Sequence, residues 1–321
     1  MSEFLELDAT IPESSAGLRL DRALADVFPD YSRSRLQQWL KEGAITVDGA
    51  TRRGRDPVKG GETVSVRAAL APDAPSVAPE PIQLDVVHED DDILVLNKPA
   101  GLVVHPGAGN PDGTLQNALL HRHPHLEQIP RCGIVHRIDK DTSGLMVVAL
   151  SDRAHTTLTE QLQDKSVGRE YEALVSGTFT AGGTVDAPIA RHPRDRKRMA
   201  VVASGRRAVT HYRIAERFSA HTLLRVFLET GRTHQIRVHM AYIQHPLVGD
   251  PVYGLRPRLP KRADDTVRDA LAGLGRQALH AARLVLQHPA TEETMAWETP
   301  RPADMDAVMD VLREHDRRMA L

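Results

Sequence analysis

Between residues 18 and 67 the spacing of apolar positions changes twice. Helical spacing predicts a first amphipathic helix over Arg19 to Phe28, and Ser32 is placed to cap a second helix that Gly43 closes. Alternation then takes over. Ile45 and Val47 alternate with polar neighbours, Asp48-Gly49 supplies a hairpin turn, and Val64 and Val66 alternate again after Gly60-Gly61. Leu70 to Pro81 is rich in Ala and Pro with almost nothing to bury, which predicts a linker. The boundaries expected are a tail at 1–16, a small α/β unit at 17–70, a linker at 71–81 and a larger domain at 82–321.

Past the linker, strand-like runs at Leu84 to His88 and Ile93 to Asn97 flank the acidic turn Asp90-Asp91-Asp92 and predict a hairpin. Thr114 is placed to cap a helix through Leu120, Val147 to Leu150 reads as a buried strand, and Leu158 and Leu162 give Asp152 to Asp164 a helical spacing. Further strands are expected at Tyr171 to Val175, Thr210 to Ala215, Thr222 to Leu228 and Leu279 to Leu286. Strands outnumber helices and do not alternate regularly with them. The expected class is therefore α+β, with a mainly antiparallel sheet, rather than a doubly wound one.

Composition narrows the function classes. A chain of 321 residues, 41% of them hydrophobic, buries one large core and leaves enough for a small second domain. Neither a basic segment leading an apolar run nor an apolar stretch of about 18 residues is present, so a cytoplasmic protein with no membrane partner is expected. The lone Cys132 forms no intramolecular disulfide and no multi-thiolate site, and reads as a small buried hydrophobe. The formal net charge of −2 argues against a partner bound through phosphates alone. Locally, though, positive charge gathers at Arg19, Arg22, Arg33, Arg35 and Lys41, at Arg52, Arg53 and Arg55, and from Arg191 to Arg198. Such runs serve equally as phosphate-binding patches or as solvated faces.

The densest group of chemically capable residues is His136-Arg137-Ile138-Asp139-Lys140-Asp141-Thr142-Ser143-Gly144, between the apolar Ile134-Val135 and Leu145 to Leu150. A polar loop framed by two apolar runs displays charged groups at the edge of a core, where a scaffold holds catalytic residues, although a solvated turn has the same pattern. His-Arg-x-Asp also occurs in kinase catalytic loops, but the glycine loop, the Asp-Phe-Gly and the offset Asn are missing. Gly107-Ala108-Gly109 is followed by Pro111 and reads as a tight loop rather than a dinucleotide fingerprint.

The loop His136 to Gly144 resembles the signature of the RluA-type pseudouridine synthases, with Ile138 for Leu the one departure. The resemblance extends to Leu102-Val103-Val104-His105-Pro106-Gly107, to Tyr171 within Glu170 to Val175, and to Thr230 through His239. Leu18 to Arg67 resembles the S4 RNA-binding module, and Val104 to Leu120 is similar to the branch acting on large-subunit ribosomal RNA. What this implies is a pseudouridine synthase fold with flanking helices and a central cleft, isomerising several uridines of one rRNA stem-loop. It implies Asp139 as the catalytic carboxylate acting at the ribose, Arg237 as its charge partner (Arg232 the lesser alternative) and Tyr171 packed on the base as a proton acceptor. It also implies Arg137, with His136 beside it, at the position vacated by the flipped nucleotide.

Arg237 falls on a helix expected to be capped by Thr233, with Ile236, Met240 and Ile243 on its buried face. RNA phosphates are assigned to Arg19, Arg22, Arg33 and Arg35, and on the catalytic domain to Arg196 and Lys197, where a solvated loop reads as well. His121, His123 and His125 are interrupted by Pro124 and read as a solvated loop; no metal site and no cofactor are expected. The partner expected is large-subunit rRNA or the pre-50S particle, met by a monomer. A non-catalytic RNA-binding or assembly factor on the same fold is the competing reading, and a hydrolase using Asp139 and Asp141 the third.

Overall fold

The computed structural model describes residues 4–29, 31, 33–69, 77–107, 109–195, 198–254 and 258–320, with the backbone alone for 4, 33, 34 and 69. The chain divides into two compact units, Met1–Ser76 and Val77–Leu321. In the first, β1 (Phe4–Thr10), α1 (Leu20–Val27), α2 (Arg33–Glu42), β2 (Ile45–Val47) and β3 (Thr63–Ala69) build a three-stranded antiparallel sheet, order β1-β3-β2, under two helices. Leu20 and Leu24 of α1 and Leu36 of α2 are fully buried against Ile45 and Val64, each contributing roughly 2 kcal/mol by leaving water.

Residues 1–16, expected as a tail, instead supply β1, which pairs with β3 from Phe4↔Ala69 to Thr10↔Thr63. The signal was a short alternation of Leu5, Leu7 and Ala9 with Glu6, Asp8 and Thr10, and those three apolar residues pack on this core. The Ser32 cap and most of the expected linker, residues 71–76, lie outside the described residues. Residues 77–81 belong to the second unit rather than to a linker: Ala78 O accepts from Asn117 Nδ2 at 2.8 Å and the Glu80 carboxylate accepts from Gly113 N–H at 2.9 Å.

The second unit comprises β4 (Val86–Glu89), β5 (Ile93–Lys98), α3 (Leu115–Arg122), β6 (Ser143–Ala149), α4 (Asp152–Asp164), β7 (Gly168–Ser176), β8 (Gly183–Asp186) and β9 (Ile189–Arg191). After these come β10 (Met199–Val201), β11 (Val209–Arg217), β12 (His221–Leu228), α5 (Gln235–Tyr242), α6 (Asp265–Gly273), β13 (Leu279–Gln287), β14 (Thr294–Glu298) and α7 (Ala303–Ala320). A nine-stranded sheet runs β4-β5-β6-β13-β7-β12-β11-β8, with β14 on β13. All its pairs are antiparallel except β6 with β13. The class is the α+β one expected, with a mainly antiparallel mixed sheet.

Period-two alternation sorts the strands onto two faces. Ile93, Val95, Leu145 and Val147 face α4. Leu94, Leu96, Met146 and Val148 face α3, α5 and the main core, and so do Tyr171, Ala173, Leu224 and Val226. Leu174 and Leu223 face the opposite way, under α6 and α7. Every residue of β6 is buried, which explains its unbroken apolar run.

Thr114 caps α3 through a capping box with Asn117, and the helix continues two residues past the expected end. His121 lies in its last turn, and His125, expected in a solvated loop, has its Nε2 3.0 Å from Leu150 O within a 3-10 turn over Pro124–Gln128. Gly107 and Asn110 exchange backbone hydrogen bonds around the expected tight loop, Ala108 being outside the described residues. No strand was anticipated at β8, β9, β10 or β14, nor a helix at α6 or α7. Among the described residues no helix is long and apolar enough to cross a membrane.

Candidate active site

Loop 136–142 feeds directly into β6 and is fastened from below. The Lys98 ammonium, fully buried at the end of β5, donates to the carbonyls of Pro99 (2.7 Å), Leu102 (2.9 Å) and Lys140 (2.8 Å). Burial pulls its pKa down to about 7, against the opposing pull of Asp141 and Asp139. Three carbonyl acceptors match the three donors of the charged form. The Lys140 carbonyl also accepts from Gly101 N–H, Asp141 O accepts from Arg276 Nη1 at 3.2 Å, and Thr142 N–H closes back on Asp139 O at 3.1 Å. Arg276 is itself held by the Asp304 carboxylate at the start of α7. Where the loop becomes strand, Gly144 (φ +113°) lets β6 approach β13 so closely that a Cβ there would lie 2.3 Å from Ala281 O.

Asp139 leaves this loop with one oxygen taken. Arg237 Nη1 donates to its Oδ2 at 2.9 Å, while Arg237 Nε and Nη2 grip Asp250 at 2.7 and 3.0 Å. Arg237 is 4% exposed and Asp250 5%. Burial works against the Arg237 charge, but the Asp250 and Asp139 carboxylates outweigh it and raise its pKa above the ordinary value. Burial alone would raise the Asp250 carboxyl; Arg237 and the amides of Tyr253 and Val252 hold it below the usual range. The guanidinium is thus a buried bridge between a structural carboxylate and one that faces the cleft.

α5 carries Arg237 and is buried from Gln235 to Met240. Its start differs from expectation. The residue before its first turn is His234, left-handed at φ +55° and making no side-chain cap, so Thr233 is not the cap. Gln235 does the joining instead. Its Oε1 accepts from Thr230 O–H (2.8 Å) and Arg232 N–H (3.0 Å), and its Nε2 donates to Val209 O and Thr210 Oγ1, both at 2.9 Å. His239 sits one turn on, between Thr210 Oγ1 (2.8 Å) and Ala187 O (2.9 Å). Gln235 and His239 therefore set the helix against the sheet and leave Arg237 to face Asp139.

A cleft of about 510 Å³ opens over Asp139, with His136, Arg137, Arg169, Tyr171 and His234 among its walls. Tyr171 lies on β7 opposite Val226 and Ala281, is 6% exposed, and joins the main core while lining the cleft floor. Burial raises its hydroxyl's pKa, so it stays protonated at neutral pH. Two residues back on the same face of β7, Arg169 also lines the cleft. His136 Nε2 accepts from Val147 N–H at 3.1 Å, which fixes the loop to β6. Burial, aided by Arg169, pushes its pKa down to about 3 and keeps it neutral. Arg137 is exposed at the cleft wall. Arg232 donates to Arg207 O at 3.1 Å rather than to Asp139.

Beside Asp139, His234 Nε2 stands 3.8 Å from Oδ1, and its Nδ1 is 2.8 Å from Tyr253 Oη. Between β9 and β10, His192 Nδ1 accepts from Arg194 and Asp195 N–H at 3.2 and 3.0 Å. Arg196 and Lys197 lie outside the described residues. In the first unit Arg19 forms a two-point pair with the buried Asp21 (3.1 and 3.0 Å), Arg22 is exposed, and Arg35 lies 5.2 Å from the Trp39 ring centre. The Arg33 side chain is outside the described set. Among the described residues no cluster could hold a metal ion.

The structure brings together Asp139, Arg237, Tyr171, His136 and Arg137. Sequence reasoning missed Lys98, Arg169, Asp250 and the His234–Tyr253 pair. Arg169 had a signal, lying two positions before Tyr171 on a strand. Asp250 had none beyond being an acidic residue 13 positions after Arg237.

Residues 92–242 match the RNA pseudouridylate synthase family and residues 18–64 the S4 domain. The chain is 56% identical over 312 residues to ribosomal large subunit pseudouridine synthase D of Xanthomonas campestris pv. campestris, covering 97% of this chain and 94% of that one. It is 54% identical over 314 residues to the protein of the same name from Escherichia coli K12, covering 98% and 96%. Among solved structures, human RNA pseudouridylate synthase domain containing 4 matches with a TM-score of 0.56 at 26% identity, over 71% of this chain and 93% of that one.

Proposed function

The chain belongs to the RNA pseudouridylate synthase family, and from that premise we propose that it isomerises uridines of large-subunit ribosomal RNA to pseudouridine with Asp139 as the reacting carboxylate. The observation that carries this reading is the cleft-facing Asp139 carboxylate, bonded at 2.9 Å to a guanidinium that a second buried carboxylate holds from behind.

The bond from ribose C1′ to uracil N1 must break, the base must turn, and C5 must take its place on C1′. The Asp139 carboxylate serves this either by attacking C1′, to be displaced when C5 bonds there, or by removing the C2′ proton and returning it as C5 bonds to C1′. Tyr171, protonated on the cleft floor, packs against the turning base; as its oxygen takes the C5 proton its own proton passes to water, and N1, left bare by the broken bond, takes a proton from water in turn. A stacked uridine reaches this depth only when extruded, at a cost of a few kcal/mol, and the exposed Arg137 guanidinium fills the gap left in the stack. His136 holds the loop that carries both. Arg19, Arg22, Arg33 and Arg35 position the RNA by its phosphates, with Arg196 and Lys197 extending that footprint. The reaction needs no redox change or group donor. In this proposal the protein acts as a cytoplasmic monomer on several uridines of one stem-loop, in free large-subunit rRNA or the pre-50S particle.

Tritium release from rRNA labelled at uracil C5 tests the proposal. Wild-type protein should release label, and Asp139→Asn should release it at least ~10³-fold more slowly while binding RNA as before. Equal rates would overturn the role of Asp139. No release by wild type from any rRNA would favour the RNA-binding factor. Arg137→Ala should lose more on a structured stem-loop than on a pre-unfolded strand.

A further inference from the structure

Asp139 Oδ2 is taken by Arg237, but Oδ1 faces a second group whose own partners decide what it can do. His234 reaches that position through an uncommon backbone. Its φ of +55° lies in the left-handed region, a conformation that costs a non-glycine residue roughly 1 kcal/mol and clusters at functional sites. The turn aims the ring at Asp139, with Nε2 3.8 Å from Oδ1.

The proton on that ring can be assigned from its surroundings. Tyr253 Oη lies 2.8 Å from His234 Nδ1 and also accepts from the Met199 backbone N–H at 2.8 Å. With Met199 already donating, a proton on Nδ1 would leave the phenol oxygen accepting twice and its O–H with no acceptor among the described residues. The arrangement that satisfies all three groups has Met199 donating to Tyr253 and Tyr253 O–H donating to Nδ1. The ring proton is then on Nε2, the atom facing Asp139. The Tyr253 ring is itself well fixed, being 6% exposed, with the guanidinium carbons of Arg237 and Arg198 at 5.1 and 5.3 Å from its centre.

Resting on the reading of Asp139 above, we propose that His234 is a positioning residue for the reaction, fixed by Tyr253 as the Nε2–H tautomer and donating to Asp139 Oδ1 when RNA is bound. The present separation is too long for a hydrogen bond. Catalytic contacts commonly tighten in the substrate complex, and a shift of about 1 Å closes this one. Asp139 is then held at both oxygens, by Arg237 on one side and His234 on the other, so that it meets the ribose in one orientation. Met199 begins β10 and directly follows the basic run Arg191 to Arg198 in sequence.

The test uses the full chain labelled with ¹⁵N-histidine, the His234 signals being assigned by their loss in His234→Gln. Wild type should show an unprotonated Nδ1 and a protonated Nε2, and Tyr253→Phe should lose that fixed pattern. A protonated Nδ1 in wild type would overturn the proposal. In turnover, His234→Ala should lower kcat ~10- to 100-fold with KM changed less than about twofold, and His234→Gln, which keeps an N–H, should recover much of the loss. Should both variants fall equally, with equal loss of thermal stability, the role is structural and the proposal fails. With Asp139→Asn inactive in the same assay, a His234→Ala kcat within about twofold of wild type overturns this inference alone; an active Asp139→Asn overturns the reading it rests on.

Discussion

Two carboxylates share one buried guanidinium in the second unit, and the balance among the three bears on stability. Asp250 has no view of the cleft in its hydrogen bonding; all its acceptor capacity goes to Arg237, Val252 and Tyr253. Removing its charge leaves Arg237 buried with Asp139 as its one remaining anion among the described residues. Asp250→Asn should therefore cost about 3 kcal/mol in urea denaturation at pH 7. Its carboxyl is held below the ordinary value in the folded protein, so its contribution is complete above the unfolded pKa of about 4 and is lost as pH falls through the folded one. Wild type should lose stability on acidification below about pH 4, and Asp250→Asn should lose less over the same interval; parallel curves would show that this carboxylate is not what acid attacks. At this scale the resemblance carried the reading: it named Arg237 rather than Arg232 as the partner of Asp139, and the two meet from 98 residues apart. What holds the cation in turn follows from no local pattern, and neither does the fact that Lys98 spends its charge on three carbonyls.

Strands were readable in proportion to the length of their apolar runs, whereas α7 was missed although it buries Met305, Val308, Met309 and Leu312 at helical spacing. β6, β7, β12 and β13 are central and each carries at least three consecutive apolar residues, and each was anticipated within a few residues. β8, β9 and β10 have three or four residues each and lie at the edge or outside the main sheet, so too few positions exist for a period to show. The start of α5 was misplaced because Thr233 fits a cap by type, whereas Gln235 joins helix to sheet by a side-chain amide that no capping rule describes. Signature residues also have structural duties of their own. Gly144 completes the loop motif, and its role is the close β6–β13 contact: Gly144→Ala would put a Cβ 2.5 Å from Ala281 N and 2.3 Å from Ala281 O. The expected cost is at least about 3 kcal/mol, seen as a lowered urea midpoint of the catalytic unit. Gly113 is the control, since its φ is +65° but nothing lies within 4 Å of a Cβ there. Gly113→Ala should cost only the left-handed strain of about 1 kcal/mol. Similar losses at both would mean that conformation, rather than the approach of the two strands, is what Gly144 provides.

Over the whole molecule a net charge of −2 must be reconciled with an RNA substrate, and the answer lies in where the cations are free. Many are not. Arg52 is tied to Glu62, and Lys165 and Arg207 share Glu229, whose carboxyl these two hydrogen bonds pull down to about 2. Arg53 and Arg55 differ: both are exposed, and they border a groove of about 760 Å³ in the first unit, which also includes Arg19 and Lys41. The S4 match falls within that unit and the RNA pseudouridylate synthase match within the second, so holding and reacting are assigned to separate bodies. If the division is real, Arg53→Gln with Arg55→Gln should weaken rRNA binding and flatten the plot of log affinity against log salt by roughly 1.5, at 0.7 to 0.9 for each phosphate no longer neutralised. Turnover at saturating RNA should stay as in wild type, because neither residue lines the cleft. A fall in kcat at an unchanged salt slope would instead mean that the first unit acts on the bound, everted state, and that the charges of its groove orient the RNA for reaction rather than adding to its hold.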